Sequence, residues 1–436
     1  MKSFLTSLFI GSAIGMCTAF SLLIVVPKLP DIFAHSFFYP NTSAVFVTTK
    51  SDSEIFQPRE GQYMLDRLDK NIPPEGKVVY ADLKKMNIVV FEDMQEVAKY
   101  PIQSIGREGT PWQTPLGIFD MNYKTERHFS SIGSVWMPYS IHFFGNYFIH
   151  GWPYYSNGTP VAEGYSGGCI RLETEDAQEL FQFVDSKTQL IVIHDSYDLD
   201  KQKEYSYVVT DFAPSIDSSF MIIDLDQGEV VASHNSQTKI PIGSFTKIMN
   251  ALISLETLNQ YLNVVYNQDI ITIGDLIYPL LLEDGLEAGI LLSEAKNKRQ
   301  YLLDMNTRAK SIGMFDTEYL DANGKDSQTI STLDDMARLL IYIYEYKPFL
   351  IDVLSKKTYT SLPLIVNRIY PEINTYQARF IDLYNNSIIA LFKYNSYAEE
   401  EDIENTFAII VHDSLYAKKD AQILYDWAQQ SLELRK

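Results

Sequence analysis

The spacing of apolar residues changes along the chain, and each change marks a different element. Phe4 to Val26 is a nearly unbroken apolar run, FLTSLFIGSAIGMCTAFSLLIVV, of a length that suits one membrane crossing. No small-x-small cleavage pattern precedes Lys28-Leu29-Pro30, so residues 1–27 read as an uncleaved signal anchor, with Cys17 an ordinary residue of that helix. Residues 28–59 mix one apolar stretch, Ala44 to Val47, with polar positions and read as a stalk or linker. Gln62 to Asp69 predicts a short helix leading to Pro73-Pro74. From Lys77 onward, short β-branched and aromatic runs are separated by Gly, Pro and Asn, the pattern of strands. Tyr147 to Ile149 predicts a strand that delivers His150 to a Gly/Pro/Asn-rich loop. In Glu173 to Val184, Ala177, Leu180, Phe181 and Val184 form a stripe at helical spacing, and Gln189 to His194 predicts a closing strand. Tyr197 to Asp211 is rich in charge and tyrosine and reads as a linker between residues 60–196 and 212–436.

With 436 residues, 46% hydrophobic and 13% aromatic, the chain has ample apolar side chains for sizeable cores in two domains. A formal net charge of −20 argues against nucleic-acid binding, which needs clustered Lys and Arg, and against adhesion to anionic lipid by charge. Of the 2 cysteines, only Cys169 lies outside the first apolar run, so no disulfide forms in the folded part and that thiol stays free. The histidines other than His150 (His35, His128, His142, His194, His234 and His412) show no ligand spacing, and no metal or other cofactor is expected.

The loop after His150 ends in Ser166-Gly167-Gly168-Cys169-Ile170-Arg171-Leu172. A thiol acts as a nucleophile once a base or a positive neighbour helps it lose its proton. His150 is the candidate base, and Arg171 the candidate positive neighbour or anion holder. Gly167 and Gly168 clear side chains from beside the sulfur, so a carbonyl can approach while backbone N–H groups, Gly168's among them, face a developing oxyanion. Ser166 and Gly151 complete the expected support of the loop. The bland alternative is a buried cysteine in a glycine turn beside a core histidine.

These residues resemble the L,D-transpeptidase (YkuD-type) catalytic domain. Its signature is a His-Gly pair, a loop, then Ser-His-Gly-Cys, an aliphatic residue and often Arg-Leu. Here it reads His150-Gly151 and Ser166-Gly167-Gly168-Cys169-Ile170-Arg171-Leu172. Upstream, Thr114-Pro115-Leu116-Gly117 and Trp136-Met137-Pro138-Tyr139 are similar to further family segments, and the resemblance covers about residues 60 to 195. It implies Cys169 as nucleophile and His150 as base, with Tyr139 and Trp152 lining the cleft. Arg171 then contacts the substrate carboxylate or braces the loop. Gly167 departs from the pattern, because most members carry a second histidine there; its loss implies lower activity or an altered substrate.

A second resemblance, over about residues 212 to 436, is to the penicillin-binding type of D-alanyl-D-alanine carboxypeptidase. Ser244-Phe245-Thr246-Lys247 matches its Ser-x-x-Lys element, in which a lysine one helical turn on serves as the serine's base. The remaining elements are damaged. Asp284-Gly285-Leu286 stands where Ser-x-Asn should fall, and Lys357-Thr358 is followed by Tyr359 rather than glycine. Ser244 and Lys247 are therefore expected to be a remnant in an inactive domain.

The expected architecture is multidomain: an N-terminal membrane helix, a mostly β YkuD-like catalytic domain, then an α/β serine-peptidase (β-lactamase-like) domain. The resemblance implies an enzyme that forms 3→3 cross-links between peptidoglycan stem peptides through a Cys169 acyl-enzyme. It also implies a single pass through a bacterial plasma membrane with both domains outside. The alternatives are hydrolysis of the same acyl-enzyme by water, an L,D-carboxypeptidase, or a wall-binding protein without catalysis.

Overall fold

The computed structural model describes residues 75–121, 123–194, 206–209, 214, 216–283, 285–355, 379–383, 386–398 and 401–435. The expected signal anchor, the stalk, the Gln62–Asp69 helix, Asp284 and Lys357-Thr358-Tyr359 lie outside the described residues. Among the described residues no helix is long and apolar enough to cross a membrane.

The first body is β-rich, as its alternating runs predict. One sheet joins β1 (Lys77–Asp82), β2 (Asn87–Glu92), β3 (Gln95–Pro101), β4 (Gly117–Asp120) and β9 (Gln189–Ile193) in the order β3-β2-β1-β9-β4. A second joins β5 (Tyr123–Ser130), β6 (Val135–Phe144), β7 (Tyr147–His150) and β8 (Ile170–Arg171) in sequence order. Alternate residues of a strand face opposite sides. Val78 and Tyr80 accordingly pack with Val89, Phe91, Ile191 and Ile193, while Val79 and Ala81 pack with Ile88, Val90, Leu190 and Val192 on the other face. Helix α1 (Thr174–Phe183) buries Ala177 and Leu180 and lies against β6 and β7.

The second body is α/β. Its antiparallel sheet runs β12-β11-β19-β18-β17, with β11 (Ser219–Asp224), β12 (Glu229–His234), β17 (Arg379–Asp382), β18 (Ile388–Ala398) and β19 (Glu401–His412). Helix α8 (Ala417–Ser431) covers one face through Leu424, Tyr425 and Ala428. The other face packs on α2 (Thr246–Thr257), whose residues are all buried, as a helix apolar around most of its circumference must be. Around α2 stand α3 (Ile277–Leu282), α4 (Leu286–Ala295), α5 (Lys298–Ser311), α6 (Leu333–Tyr346) and α7 (Pro348–Leu354). Short ribbons pair β13 (Ile240–Pro241) with β16 (Ile330–Ser331) and β14 (Asn263–Tyr266) with β15 (Asp269–Thr272).

The linker expectation needs correction at its end. Ser206–Val209 is a strand, β10, paired antiparallel with β20 (Leu432–Arg435). Tyr207 is buried there, and its hydroxyl donates to the Asp224 carboxylate. A buried phenol with a buried acceptor fixes this stretch, which composition alone reads as solvated.

The bodies share one continuous apolar core. At its centre Arg308 of α5 is fully buried. It pairs with Glu256 of α2 (Nε–Oε2 2.9 Å), donates to Leu116 O at 2.7 Å and contacts the Tyr342 hydroxyl. Its guanidinium also lies over the rings of Phe119 and Phe144 in the first body. Lys347, buried at the start of α7, donates to Gln113 O at 2.9 Å and lies 3.9 Å from Glu256. A fully buried ion cluster, with every cation also bonded to a carbonyl of the first body, ties the two together.

Candidate active site

Strand β7 reads YFIH and is buried along its length. It leaves the β6 hairpin through Gly145 and Asn146, where Gly145 has φ +52°. Beside it runs β8, parallel, with Ile149 opposite Ile170 and His150 opposite Arg171. The ladder therefore brings the ends of a long loop together and sets Cys169, one residue before β8, next to the strand that carries His150.

Close packing dictates the glycines. Gly168 has φ +106°, and a Cβ there would fall 2.2 Å from the Tyr147 ring. A Cβ on Gly106 would fall 2.0 Å from Trp112 O, and one on Gly151 2.9 Å from the Thr174 Cα. Gly167 differs: it is exposed, and a Cβ there meets nothing within 4 Å. Ser166 closes the loop, donating to Cys169 O at 2.6 Å and accepting from Gly168 N at 3.0 Å. The Gly168 N–H expected to face an oxyanion is already committed to Ser166 Oγ, a correction that follows from the tightness of the turn.

His150 is 2% exposed, and its Nδ1 lies 2.6 Å from Gly151 O. A carbonyl only accepts, so Nδ1 carries the proton and Nε2 is left as the base. Burial pushes the imidazole down to about 4, with the Gly151 bond opposing and the Arg171 charge adding to the fall. Cys169 is crowded by protein and half-buried. Burial pushes its thiol up to about 11, against a backbone hydrogen bond from Phe148 and the Arg171 charge. At neutral pH the resting pair is neutral thiol and neutral imidazole. Sγ donates to Asn146 O at 3.8 Å, and among the described residues no hydrogen bond joins it to His150.

Arg171 half-emerges from the loop. Its Nη1 lies 3.5 Å from Gly164 O, its guanidinium 5.7 Å from the Trp152 ring, and its Nε is buried without a partner. Trp152 in turn donates to Val161 O at 2.8 Å. Ser104, Trp152, Gly164, Tyr165 and Glu173 line a groove of about 1010 Å³ at this edge; its lining does not include Cys169 or His150. Tyr139 packs edge-on against Phe181 of α1, at 5.8 Å. The strand geometry turns it onto the helix.

Ser244 and Lys247 stand at the start of α2, 4% and 5% exposed. Ser244 lies on a 3-10 turn, Gly243–Phe245, and Lys247 Nζ donates to Glu283 O at 3.2 Å. Among the described residues no hydrogen bond joins Ser244 Oγ to Lys247 Nζ. Gly285, at φ +64°, caps the start of α4, and Leu286, the helix's first residue, stands where the resemblance calls for an amide-bearing side chain.

Two features of the site escaped the sequence. Asn146, which meets the sulfur, and Trp112, whose carbonyl underlies Gly168, announce themselves only as turn residues.

Residues 76–193 match the family model of YkuD, the L,D-transpeptidase catalytic domain. This stretch of the chain is therefore an L,D-transpeptidase-type domain, from a family of peptidoglycan cross-linking enzymes. The chain is also 28% identical over 144 residues to a D-alanyl-D-alanine endopeptidase of Haemophilus influenzae, covering 28% of this chain and 49% of that protein. It is 25% identical over 147 residues to its Pseudomonas aeruginosa counterpart, covering 29% and 47%. The chain thus spans about half the length of the curated relatives it matches. Among solved structures, similarity extends to a D-alanyl-D-alanine carboxypeptidase of Mycobacterium tuberculosis, with 18% identity, TM-score 0.41 and coverage of 50% of this chain and 93% of that one. Penicillin-binding protein 6B of Escherichia coli gives 18% identity, TM-score 0.42 and coverage of 51% and 80%.

Proposed function

We propose that the chain is a peptidoglycan L,D-transpeptidase that forms 3→3 cross-links through a Cys169 thioester at the outer face of a bacterial plasma membrane. The observation that carries this reading is the parallel β7–β8 ladder, which seats the Cys169 loop beside a buried His150 whose Nδ1 is tied to Gly151 O at 2.6 Å. That bond leaves Nε2 as the only site of the ring able to take a proton.

In this mechanism His150 Nε2 takes the proton as Cys169 Sγ attacks the carbonyl between the third stem residue and the terminal D-Ala. The Cys169 N–H, rather than that of Gly168, steadies the oxyanion. On collapse the C–N bond breaks, the imidazolium protonates the leaving amine of D-Ala, and a thioester remains. The side-chain amine of a neighbouring stem then attacks the thioester and gives its proton to His150. The sulfur leaves and is reprotonated, and a new amide joins the stems. Arg171 holds the incoming carboxylate or braces the loop. Ser244 and Lys247 take no part.

The test is incubation of the detergent-solubilised full chain with stem tetrapeptide and an amine acceptor, followed by mass spectrometry of protein and products. Release of D-Ala and a cross-linked product, both lost in Cys169→Ala, is expected. D-Ala release with tripeptide as the sole product would reassign the chain as a carboxypeptidase, and absence of any adduct or release would leave a binding protein.

A further inference from the structure

The second body reaches the nucleophile along two routes. The first runs through the β6–β7 turn. Asn146 Nδ2 donates to Thr257 O, the last residue of α2, at 2.8 Å. The carbonyl of the same Asn146 accepts from Cys169 Sγ. The fit at this turn is tight, since a Cβ on Gly145 would fall 2.9 Å from Thr257 Cγ2. The second route runs through the Pro111–Gln113 loop. Lys347 Nζ holds Gln113 O at 2.9 Å and Pro111 O at 3.5 Å. Between them, Trp112 O sits 3.0 Å from where a Gly168 Cβ would be. Both routes start on buried residues of the second body and end on the loop that presents the sulfur.

We propose that the second body serves as a scaffold for the nucleophile of the first, and that Asn146 is the positioning residue through which it acts. This rests on Cys169 being the nucleophile, as read above. A thiol on a loop of glycines has many orientations open to it. One held against the Asn146 carbonyl has fewer, and a reacting atom misplaced by about 1 Å can cost a hundredfold in rate. It also gives the second body a task that its Ser244 does not need to perform: a fold can lose its own chemistry and still be required by its neighbour's.

Asn146 is an exposed turn residue, so Asn146→Ala removes the bond to Thr257 without opening a core. The groups acting electrically on the sulfur are Arg171 on β8 and Tyr147 on β7, and neither is changed. The experiment measures iodoacetamide alkylation of Cys169 against pH in the full chain, by peptide-level mass spectrometry that separates it from Cys17, together with acylation by a carbapenem. Loosening the acceptor of the neutral thiol lowers its apparent pKa by about 0.5–1 unit, so alkylation at a given pH speeds up. Acylation, which needs the sulfur in place, slows by roughly tenfold. Lys347→Met, which frees the other route, slows acylation as well. An unchanged pH profile with unchanged acylation in Asn146→Ala overturns the proposal, and so does a loss in both variants that only follows a lower melting temperature. If the wild-type chain takes no carbapenem while the alkylation shift is still seen, the acyl-transfer reading falls and the positioning inference stands.

Discussion

Cys169, half-buried, ends a loop of glycines, with an imidazole fixed in one tautomer on the adjoining strand. Ser244 begins a wholly buried helix, 4% exposed, and the lysine one turn on has its Nζ on the Glu283 carbonyl. Each body therefore holds a nucleophile-type residue and a partner at plausible spacing. What separates them is the surroundings: Cys169 sits half-buried on a glycine loop, whereas Ser244 is packed in against a helix buried all round. A nucleophile's competence belongs to its constellation, and members that act as a unit lose most of their effect together.

The sharpest way to break this contrast is to remove each nucleophile in turn. Cys169→Ala is expected to abolish carbapenem acylation and D-Ala release, and Ser244→Ala to leave both unchanged; intact-protein mass spectrometry reads the adduct. Adduct surviving in Cys169→Ala and lost in Ser244→Ala would reverse the assignment. His150→Ala comes next, slowing acylation by about 10²–10⁴-fold with the thiol still present. A smaller effect, under tenfold, would mean that Nε2 takes no proton in the rate-limiting step.

The shared core sets the third prediction. Arg308 and Glu256 are both fully buried, and Arg308→Ala leaves Glu256 facing Lys347 alone at 3.9 Å. Breaking such a pair from one side costs about 3–5 kcal/mol. Because Arg308 also holds Leu116 O, denaturant unfolding of the full chain should show the loss in the signals of both bodies together. A loss confined to the second body would show that the two unfold independently.

The pH dependence follows from the neutral resting pair. His150 titrates near 4 in the folded chain and near 6.5 when unfolded. A lowered folded pKa means that its contribution to stability is complete above about 6.5 and is lost as pH falls toward 4. The Cys169 thiol is raised to about 11, so its contribution is complete below its ordinary value and is lost as pH climbs through 11. For catalysis the base stays unprotonated through mildly acidic solution. The acylation rate should hold level down to about pH 5 and fall only as His150 charges. A limb near 6.5 would instead indicate a solvated imidazole or a thiolate–imidazolium pair.

Much of the first body was legible because strands with two buried faces write themselves as β-branched runs, as in Val78 to Asp82, and because the signature around Cys169 is local. The pairing of His150 with the Cys169 loop was also legible, since a single glycine-rich loop connects them. What the sequence hid was non-local. Nothing in Tyr207 marks it as the buried anchor of a strand whose partner lies at the chain's far end. Nothing in Thr257 or Lys347 marks them as neighbours of a loop far away in the sequence. Nothing in Tyr139 marks its contact with Phe181, because aromatic residues beside a motif serve packing as readily as binding, and only the path of β6 sets their neighbours. The Gly168 N–H was misassigned because its acceptor, Ser166 Oγ, depends on the turn's closure rather than on residue type.

The smallest predicted effect tests the one residue of the loop whose identity the fold does not dictate. Gly168 cannot carry a side chain, with φ +106° and a Cβ position 2.2 Å from the Tyr147 ring, whereas Gly167 is exposed and faces open space. Gly167→His therefore restores the side chain expected from the transpeptidase resemblance without strain, and stability should change by no more than about 0.5 kcal/mol. An imidazole there lies two residues from the sulfur and adds a donor on the solvent side, where the committed Gly168 N–H adds none. A single such donor, exposed to water, contributes little. The acylation rate should rise about two- to fivefold, with the acid limb set by His150 unmoved. A rise of a hundredfold would mean that Gly167 marks a loop in decay, whose remaining contacts do not suffice for transfer. No rise at all would mean that the Ser166 clamp and the buried base already supply what the missing histidine gives elsewhere.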